Sequence, residues 1–158
     1  MEKVLLFISV TTHYFEAFGS MESFLLQMPY ILALTSVKIA LVACVKQKHE
    51  SSCQAKDMYL SEDFKAWMKY AESWGADKIF ILSGKHGLLE LTKEIKPYVF
   101  NLNVQSRSYR RAWAEDVLTK LTKEASFEND HFLILSNRLY AEDLSPNFKY
   151  FEMPLDIT

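Results

Sequence analysis

Three short apolar runs constrain the fold of this chain, because each stops abruptly at small, amide or cationic residues. They cover residues 38–44, 77–83 and 131–136. Near-continuous apolar runs of this length are typical of buried strands in parallel sheets. Amphipathic segments of helical period separate them. Alternation of strand and helix predicts a single α/β domain with a mostly parallel central sheet flanked by helices in three layers.

The helices and the last strand have recognisable ends. One helix is predicted to start at the N-cap Ser61 and to stop at Gly75, and a second spans about residues 106–125. Ser is a favoured N-cap, and Gly is the usual residue just past a helix end. A short helix at 140–144 and a final edge strand at 150–154 complete the predicted elements.

The amino-terminal part reads differently from the rest. Residues 1–36 are interpreted as a strand at 4–10 followed by an irregular extension, and the α/β domain covers residues 37–158. The apolar stretch 24–44 approaches the length of a membrane span. Gln27, Pro29 and Lys38 interrupt it, so no membrane association is predicted and its second half is interpreted as a buried strand.

Charge and motifs exclude several function classes. The net charge of −2 provides no general attraction for polyanions, so a nucleic acid would need a local basic patch. Neither GxxxxGK[ST] nor GxGxxG occurs, and the two cysteines have no zinc or redox spacing. We therefore predict no cofactor and no metal. In the absence of a secretory signal pattern, a reducing cytoplasm is the expected location. No pattern indicates an oligomeric state.

The carboxyl ends of parallel strands share one edge of a sheet, and ligands usually bind there. The polar residues that follow the three runs should therefore line one crevice suited to an anion such as phosphate. Gly84 and Gly87 would let backbone approach that ligand closely. The remaining candidates are Lys46, Lys48, Ser83, Lys85, His86, Asn137 and Arg138.

Two of the strand-end residues are candidates for catalysis. His86 titrates near neutrality and could act as a general acid or base; the alternative is a histidine hydrogen-bonded in a tight turn. Cys44 could act as a nucleophile if Lys46 or Lys48 stabilised its thiolate. The alternative for Cys44 is packing, since free cysteines at strand ends commonly behave as small hydrophobes.

Basic residues at the start of the second helix suggest a different surface. Arg107, Arg110 and Arg111 lie where the helix dipole disfavours cations. A nucleic-acid backbone would favour them, with Tyr109 or Trp113 available for stacking. Pairing with nearby acids such as Glu115 is the alternative. The segment 97–103, which carries Tyr98 and Phe100, could wall the crevice or could pack against the sheet.

Four ordered blocks of the chain resemble those of an uncharacterised prokaryotic domain family, itself distantly similar to the YaaA peroxide-stress proteins. The blocks are ALVACVKQK (40–48), AKDMYLSEDF (55–64), ILSGKHGLL (81–89) and IKPYVFNLN (95–103). The resemblance implies an α/β fold and DNA association under oxidative stress. Related domains occur in archaeal enzymes of tRNA deazaguanine modification and are similar to uracil-DNA glycosylases.

The resemblance also implies a set of ligand-facing positions. They are Cys44, Lys46, Lys48, Tyr59, Ser83, His86, Gly87, Tyr98 and Asn103. The chain departs from the YaaA pattern at Lys85-His86, where those proteins have Leu-Tyr, and at Val99-Phe100, where they have Arg-Leu.

Three functional hypotheses follow. The first is a protein that binds a nucleotide or flipped base at the strand-end crevice and cleaves or transfers an N-glycosidic bond, although the scarcity of nearby acids argues against hydrolysis. The second is a non-catalytic DNA- or RNA-binding stress protein that uses the three arginines. The third is a sensor of small nucleotides.

Overall fold

In the computed structural model of the protein, residues 36–154 are described, and the fold below is that of the unit beginning at Val37. The predicted strand at 4–10 and the extension that follows it lie outside the described residues. Residues 155–158 lie outside them as well.

A five-stranded, mostly parallel sheet forms the centre of this unit, with spatial order β4-β3-β1-β6-β7. β1 pairs in parallel with both β3 and β6, and β7 adds in parallel to β6. A separate antiparallel pair joins β2 to β5. The strands are β1 Lys38–Ala43, β2 Cys53–Gln54, β3 Lys78–Ser83, β4 Gly87–Glu90, β5 Glu94–Ile95, β6 His131–Leu135 and β7 Tyr150–Glu152. The predicted α/β class and mostly parallel sheet are confirmed.

β4 is a strand that the sequence did not predict. It runs antiparallel to β3 and returns through a tight turn that brings Gly87 opposite Ser83. Gly84 and Gly87 predicted a turn around Lys85 and His86. That turn is present, and the chain continues after it as the edge strand β4. The predicted turn is therefore the tip of a hairpin.

Four α-helices connect the strands within residues 36–154. They are α1 Ala55–Met58, α2 Glu62–Ser73, α3 Arg107–Leu121 and α4 Arg138–Ala141. The cap at Ser61 is confirmed, since its Oγ accepts a hydrogen bond from the Phe64 N–H at 3.2 Å. Gly75 follows α2 with a φ of 81°, a conformation that favours glycine. The second predicted helix ends earlier than expected, at Leu121, and α4 starts before residue 140.

The core forms two clusters that share the central strand. Leu41 packs in a cluster with Trp113 and Val117 of α3, whereas Val42 packs in a cluster with Phe64 of α2. Successive side chains of a strand point to opposite faces of the sheet. The two clusters therefore cover opposite faces of β1, and the backbone of β1 has no exposed side.

The strand order reverses next to β1, which positions the functional site. The chain passes from β1 to β3 on one side and then returns to β6 on the other. All three strands run in the same direction, so residues 44–48, 84–86 and 136–138 emerge at one edge. This is the usual location of a ligand crevice in open α/β sheets.

Across residues 36–154, none of the helices combines the length and the apolar character that crossing a bilayer requires. Residues 38–43 of the apolar stretch 24–44 form the buried strand β1, as interpreted from the sequence. Residues 24–35 lie outside the described residues.

Replacing Gly84 tests the packing at the end of β3. A Cβ there would lie 3.0 Å from both the Leu102 Cβ and the Tyr140 hydroxyl oxygen, and 3.2 Å from a Phe100 ring carbon. We predict that Gly84→Ala lowers the free energy of unfolding by about 1–3 kcal/mol through overpacking, and that Gly84→Ser lowers it further. Urea unfolding measures both.

Gly75 supplies the control, because a Cβ there would have only the Lys38 Nζ, 3.9 Å away, as a neighbour. Gly75→Ala should cost about 1–2 kcal/mol through backbone strain alone, and Gly75→Ser should cost the same. Equal costs for Ala and Ser at Gly84 would show that the site is not tightly packed.

Candidate functional site

A cavity of about 440 Å³ opens at the carboxyl edge of the sheet. The loop after β1 lines one side of it, the segment 98–103 forms a wall, and the turn after β6 closes it. Its lining residues are Cys44, Val45, Lys46, Lys48, Tyr98, Val99, Phe100, Asn101, Asn103, Asn137 and Tyr140. Six of them, Cys44, Lys46, Lys48, Tyr98, Asn103 and Asn137, are residues that the sequence predicted for the site.

Lys48 is held in place by the backbone of its own loop. Its Nζ donates to the carbonyl oxygens of Val45 at 3.0 Å and Lys46 at 3.3 Å. The same Nζ lies 4.4 Å from the centroid of the Tyr98 ring, within range of a cation–π contact. An ammonium group has three N–H donors, so among the described residues one donor is left for a ligand.

Two effects of opposite sign act on the pKa of Lys48. Burial lowers the pKa of Lys48, and the nearby Cys44 raises it. The loop itself is fixed by backbone pairing: the His49 N–H donates to the Met58 carbonyl at 2.8 Å, and Lys48 forms a bridge with Tyr59. The structure therefore presents a positioned cation at the cavity rather than a freely moving side chain.

A chain of buried hydroxyls holds the Tyr98 ring. The Tyr98 hydroxyl lies 2.7 Å from the Ser83 Oγ and 2.9 Å from the Tyr59 hydroxyl. The Ser83 Oγ also accepts a hydrogen bond from the His86 N–H at 3.1 Å. Burial raises the pKa of Tyr59 to about 12 and raises that of Tyr98 as well. These hydroxyls stay protonated at neutral pH and act as fixed dipoles.

Tyr140 is a cavity residue that sequence reasoning missed. Its hydroxyl lies 3.4 Å from the Cys44 Sγ, and its ring packs edge-on against Trp113. Burial raises the pKa of Tyr140. The one available signal was its position three residues after Asn137, on the first turn of a helix that starts at the strand end. The half-buried Cys44 thiol faces this hydroxyl and lines the cavity.

Amide side chains surround the outer part of the cavity. Asn137 caps α4, since its Oδ1 accepts from the Leu139 N–H at 3.1 Å, and its Nδ2 lies 3.4 Å from the Asn103 Oδ1. Asn101 accepts from the Asn103 N–H at 3.0 Å. The amides thus bring donors and acceptors, but no charge, to the same space as the Lys48 ammonium.

His86 and Lys85 line a different concave surface, a groove of about 850 Å³ beside β4. The groove adjoins the cavity at Tyr98, whose ring has the His86 ring edge-on at 5.0 Å and the Lys85 Nζ at 5.3 Å. The crevice predicted as one space is therefore two spaces that meet at Tyr98. The catalytic role of His86 stays a prediction.

His86 has an unusual environment. Its Nε2 is buried, and no described residue provides a hydrogen-bond partner for it. Burial lowers the pKa of His86, and the nearby charges of Lys85 and Lys120 lower it further. The imidazole is therefore mainly neutral at pH 7, and its Nε2 is a buried polar atom without a hydrogen-bond partner among the described residues.

The other strand-end candidates lie behind or outside the cavity. Tyr59, Ser83 and Gly84 are buried beside residues that line it. Gly87 is buried against α3 instead, next to Asp116, Val117 and Lys120. Arg138 is exposed and belongs to the lining of neither the cavity nor the groove.

The arginines of α3 are mostly engaged with acids. Arg107 pairs with Glu142 at 2.8 Å and with Asp143, and the Arg110 Nε lies 3.3 Å from Glu142. These acids come from the turn after α4 rather than from Glu115. Arg111 is exposed and forms no ion pair among the described residues. The role of the three arginines in nucleic-acid binding stays a prediction.

Trp113 is not available for stacking on a base. Its side chain is buried, and its Nε1–H donates to the Ser83 carbonyl at 2.9 Å. Within residues 36–154, no three His, Cys, Asp or Glu side chains come together in a group that could hold a metal ion.

Comparison with known proteins identifies one family. The model of the family of unknown function DUF6884 matches residues 39–157. No curated protein and no solved structure matches the chain significantly.

Removing the Tyr98 hydroxyl tests the buried hydroxyl chain. Tyr98→Phe should lower the free energy of unfolding by about 1–3 kcal/mol, because it leaves the Ser83 and Tyr59 hydroxyls without their shared partner. Tyr59→Phe should cost less, and the double variant should cost less than the sum of the two. Urea unfolding of all four proteins gives the coupling. Costs that add within about 0.3 kcal/mol would contradict the contact.

His86 should make stability depend on pH in a defined direction. Its pKa in the folded protein lies below the ordinary value of 6.5, so the unfolded chain takes up the proton first as the pH falls. The stabilising contribution is present above pH 6.5 and is lost as the pH falls from there towards the lowered pKa.

We therefore expect the melting temperature of the wild type to fall more steeply between about pH 7 and pH 5 than that of His86→Gln. The exposed His49, replaced by Gln, controls for loss of a histidine. A steeper fall in His86→Gln than in the wild type would contradict the burial of a neutral imidazole.

Proposed function

The chain belongs to DUF6884, a family of unknown function, and we propose that it binds a mononucleotide in the cavity at the carboxyl edge of the sheet. One observation carries the proposal. The Lys48 ammonium is fixed by two backbone carbonyls in a cavity whose other lining residues are Lys46, Cys44, amides, aromatic rings and apolar side chains.

The phosphate would bind at the loop after β1. Lys48 offers its remaining N–H, and the exposed Lys46 can approach the same anion from solvent. Lysine is a common phosphate ligand that acts as a point charge. No Asp or Glu occurs among the described residues that line the cavity, so nothing there repels an anion.

The base would bind between the wall and the turn after β6. Phe100 and Tyr140 present apolar and aromatic surface, and Asn101, Asn103 and Asn137 present the donors and acceptors that base edges need. The volume of about 440 Å³ falls within the range of small-molecule pockets. A sugar phosphate would use the lysines but would leave this second half of the cavity unfilled.

Binding is proposed here without a chemical step. Hydrolysis of an N-glycosidic bond normally uses a carboxylate, and the lining has none, while His86 lies in the adjoining groove. Use of the arginines of α3 by a nucleic acid is less favoured, because Arg107 and Arg110 already bind Glu142.

Three further points belong to this proposal. A three-layer arrangement is supported by the two core clusters on opposite faces of β1. A distant relationship to the YaaA proteins is supported by the four sequence blocks. A cytoplasmic location is supported by the free thiols of Cys44 and Cys53.

Calorimetric titration with AMP, GMP, CMP and UMP tests the proposal. At least one nucleotide should bind, and Lys48→Met should weaken it by about 10- to 100-fold, because a charge-assisted hydrogen bond is lost while the aliphatic stem remains. Ribose 5-phosphate should bind more weakly than the nucleotide.

Lys69→Met is the matched control, because Lys69 is exposed on α2 and lines neither the cavity nor the groove. It should bind nucleotide like the wild type. Failure of all four nucleotides to bind, or equal affinity in Lys48→Met and wild type, would overturn the proposed function.

A further inference from the structure

The groove beside β4 is rich in lysine. Five of its thirteen lining residues are lysines, namely Lys85, Lys93, Lys96, Lys120 and Lys123. The protein as a whole carries a net charge of −2, so this is a local concentration of positive charge on a slightly acidic protein. Such a local patch can attract a polyanion even when the net charge of the protein does not.

Most of this charge is not neutralised by neighbours. Among the described residues, Lys120 pairs with Asp116 at 2.6 Å, whereas the other four lysines form no ion pair. Three glutamates also line the groove, but Glu124 is paired with Lys78 at 2.6 Å. Four unpaired lysines therefore face two unpaired glutamates, Glu90 and Glu94.

The floor of the groove is apolar. Phe80, Leu88, Leu89 and Ile95 contribute to it, and His86 brings the neutral ring whose Nε2 has no partner among the described residues. An apolar floor below a cationic rim suits a ligand with a charged backbone and flat, weakly polar side groups. A flexible chain of phosphates alone would leave this floor unused.

The groove and the nucleotide cavity lie on either side of the Tyr98 ring. Lys85 lines the groove and its Nζ lies 5.3 Å from the Tyr98 ring, while Lys48 approaches the same ring from the cavity at 4.4 Å. A ligand that fills the cavity and extends past Tyr98 would therefore pass from Lys48 to Lys85 at the near end of the groove.

We propose that the groove binds the phosphate backbone of a single-stranded nucleic acid, one unpaired nucleotide of which occupies the cavity. This inference rests on the proposed function and names its substrate class. We take the strand to be single, because an unpaired base enters a cavity without the free-energy cost of flipping it out of a duplex. The lysines contact successive phosphates, and Tyr98 separates the bound nucleotide from its neighbours.

The test compares an oligothymidylate of about eight nucleotides with TMP, a length in the range of single-strand binding sites. Fluorescence anisotropy measures the oligonucleotide and calorimetry measures TMP. The groove variant is Lys93→Gln/Lys96→Gln/Lys123→Gln. The control is Lys65→Gln/Lys69→Gln/Lys149→Gln, which changes the net charge equally at lysines outside both lining sets.

We expect the oligonucleotide to bind more tightly than TMP. The groove variant should lose at least about tenfold in oligonucleotide affinity. Its plot of log K against log salt should become shallower by about 2, which is three lysines at about 0.7 each. The control variant should match the wild type, and TMP affinity should be the same in all three proteins.

Several results would overturn the inference. They are oligonucleotide binding no tighter than TMP, equal loss in the groove and control variants, and equally tight binding of polyglutamate of the same charge. The two proposals fail separately. If TMP binds but the oligonucleotide gains nothing, the groove is wrong; if the oligonucleotide binds through the groove but none of AMP, GMP, CMP, UMP and TMP binds, the cavity is wrong.

Discussion

The parallel pairing of β1 with β3 on one side and β6 on the other is the constraint on which the site depends. The side chains of residues 39–42 have no exposed surface, so β1 cannot shift its register without moving apolar residues out of both core clusters. Its pairing even extends beyond the strand, since the Cys44 N–H donates to the Leu82 carbonyl at 2.9 Å. The first cavity residue is thus fixed by the sheet itself.

Tyr98 converts this shared edge into two distinct spaces. Its hydroxyl is hydrogen-bonded to Ser83 at the end of β3 and to Tyr59. These two hydrogen bonds fix the position of the Tyr98 ring. A buried hydroxyl needs hydrogen-bond partners but no opposite charge. A tyrosine can therefore separate the two spaces without forming an ion pair with the lysines that approach it from both sides. The arrangement leaves cations exposed to a ligand instead of consuming them in internal ion pairs.

The sequence predicted what depends on local pattern. Apolar runs located the parallel strands β1, β3 and β6, and Ser61 and Gly75 located the ends of α2, because caps and strand periodicity act over a few residues. Features that depend on distant contacts were missed. Tyr140 faces Cys44 from 96 residues away, and Arg107 finds Glu142 from 35 residues away. The separation of His86 from the cavity likewise depends on how Tyr98 folds back onto the end of β3.

The most direct measurement is a crystal structure of the protein with the mononucleotide that binds it most tightly. We predict that the phosphate lies about 2.8 Å from the Lys48 Nζ, with Lys46 beside it. The base should lie against the wall formed by residues 98–103. A nucleotide bound elsewhere on the molecule, or one whose phosphate avoids the loop after β1, would contradict the claim that the ends of β1 and β6 build its binding site.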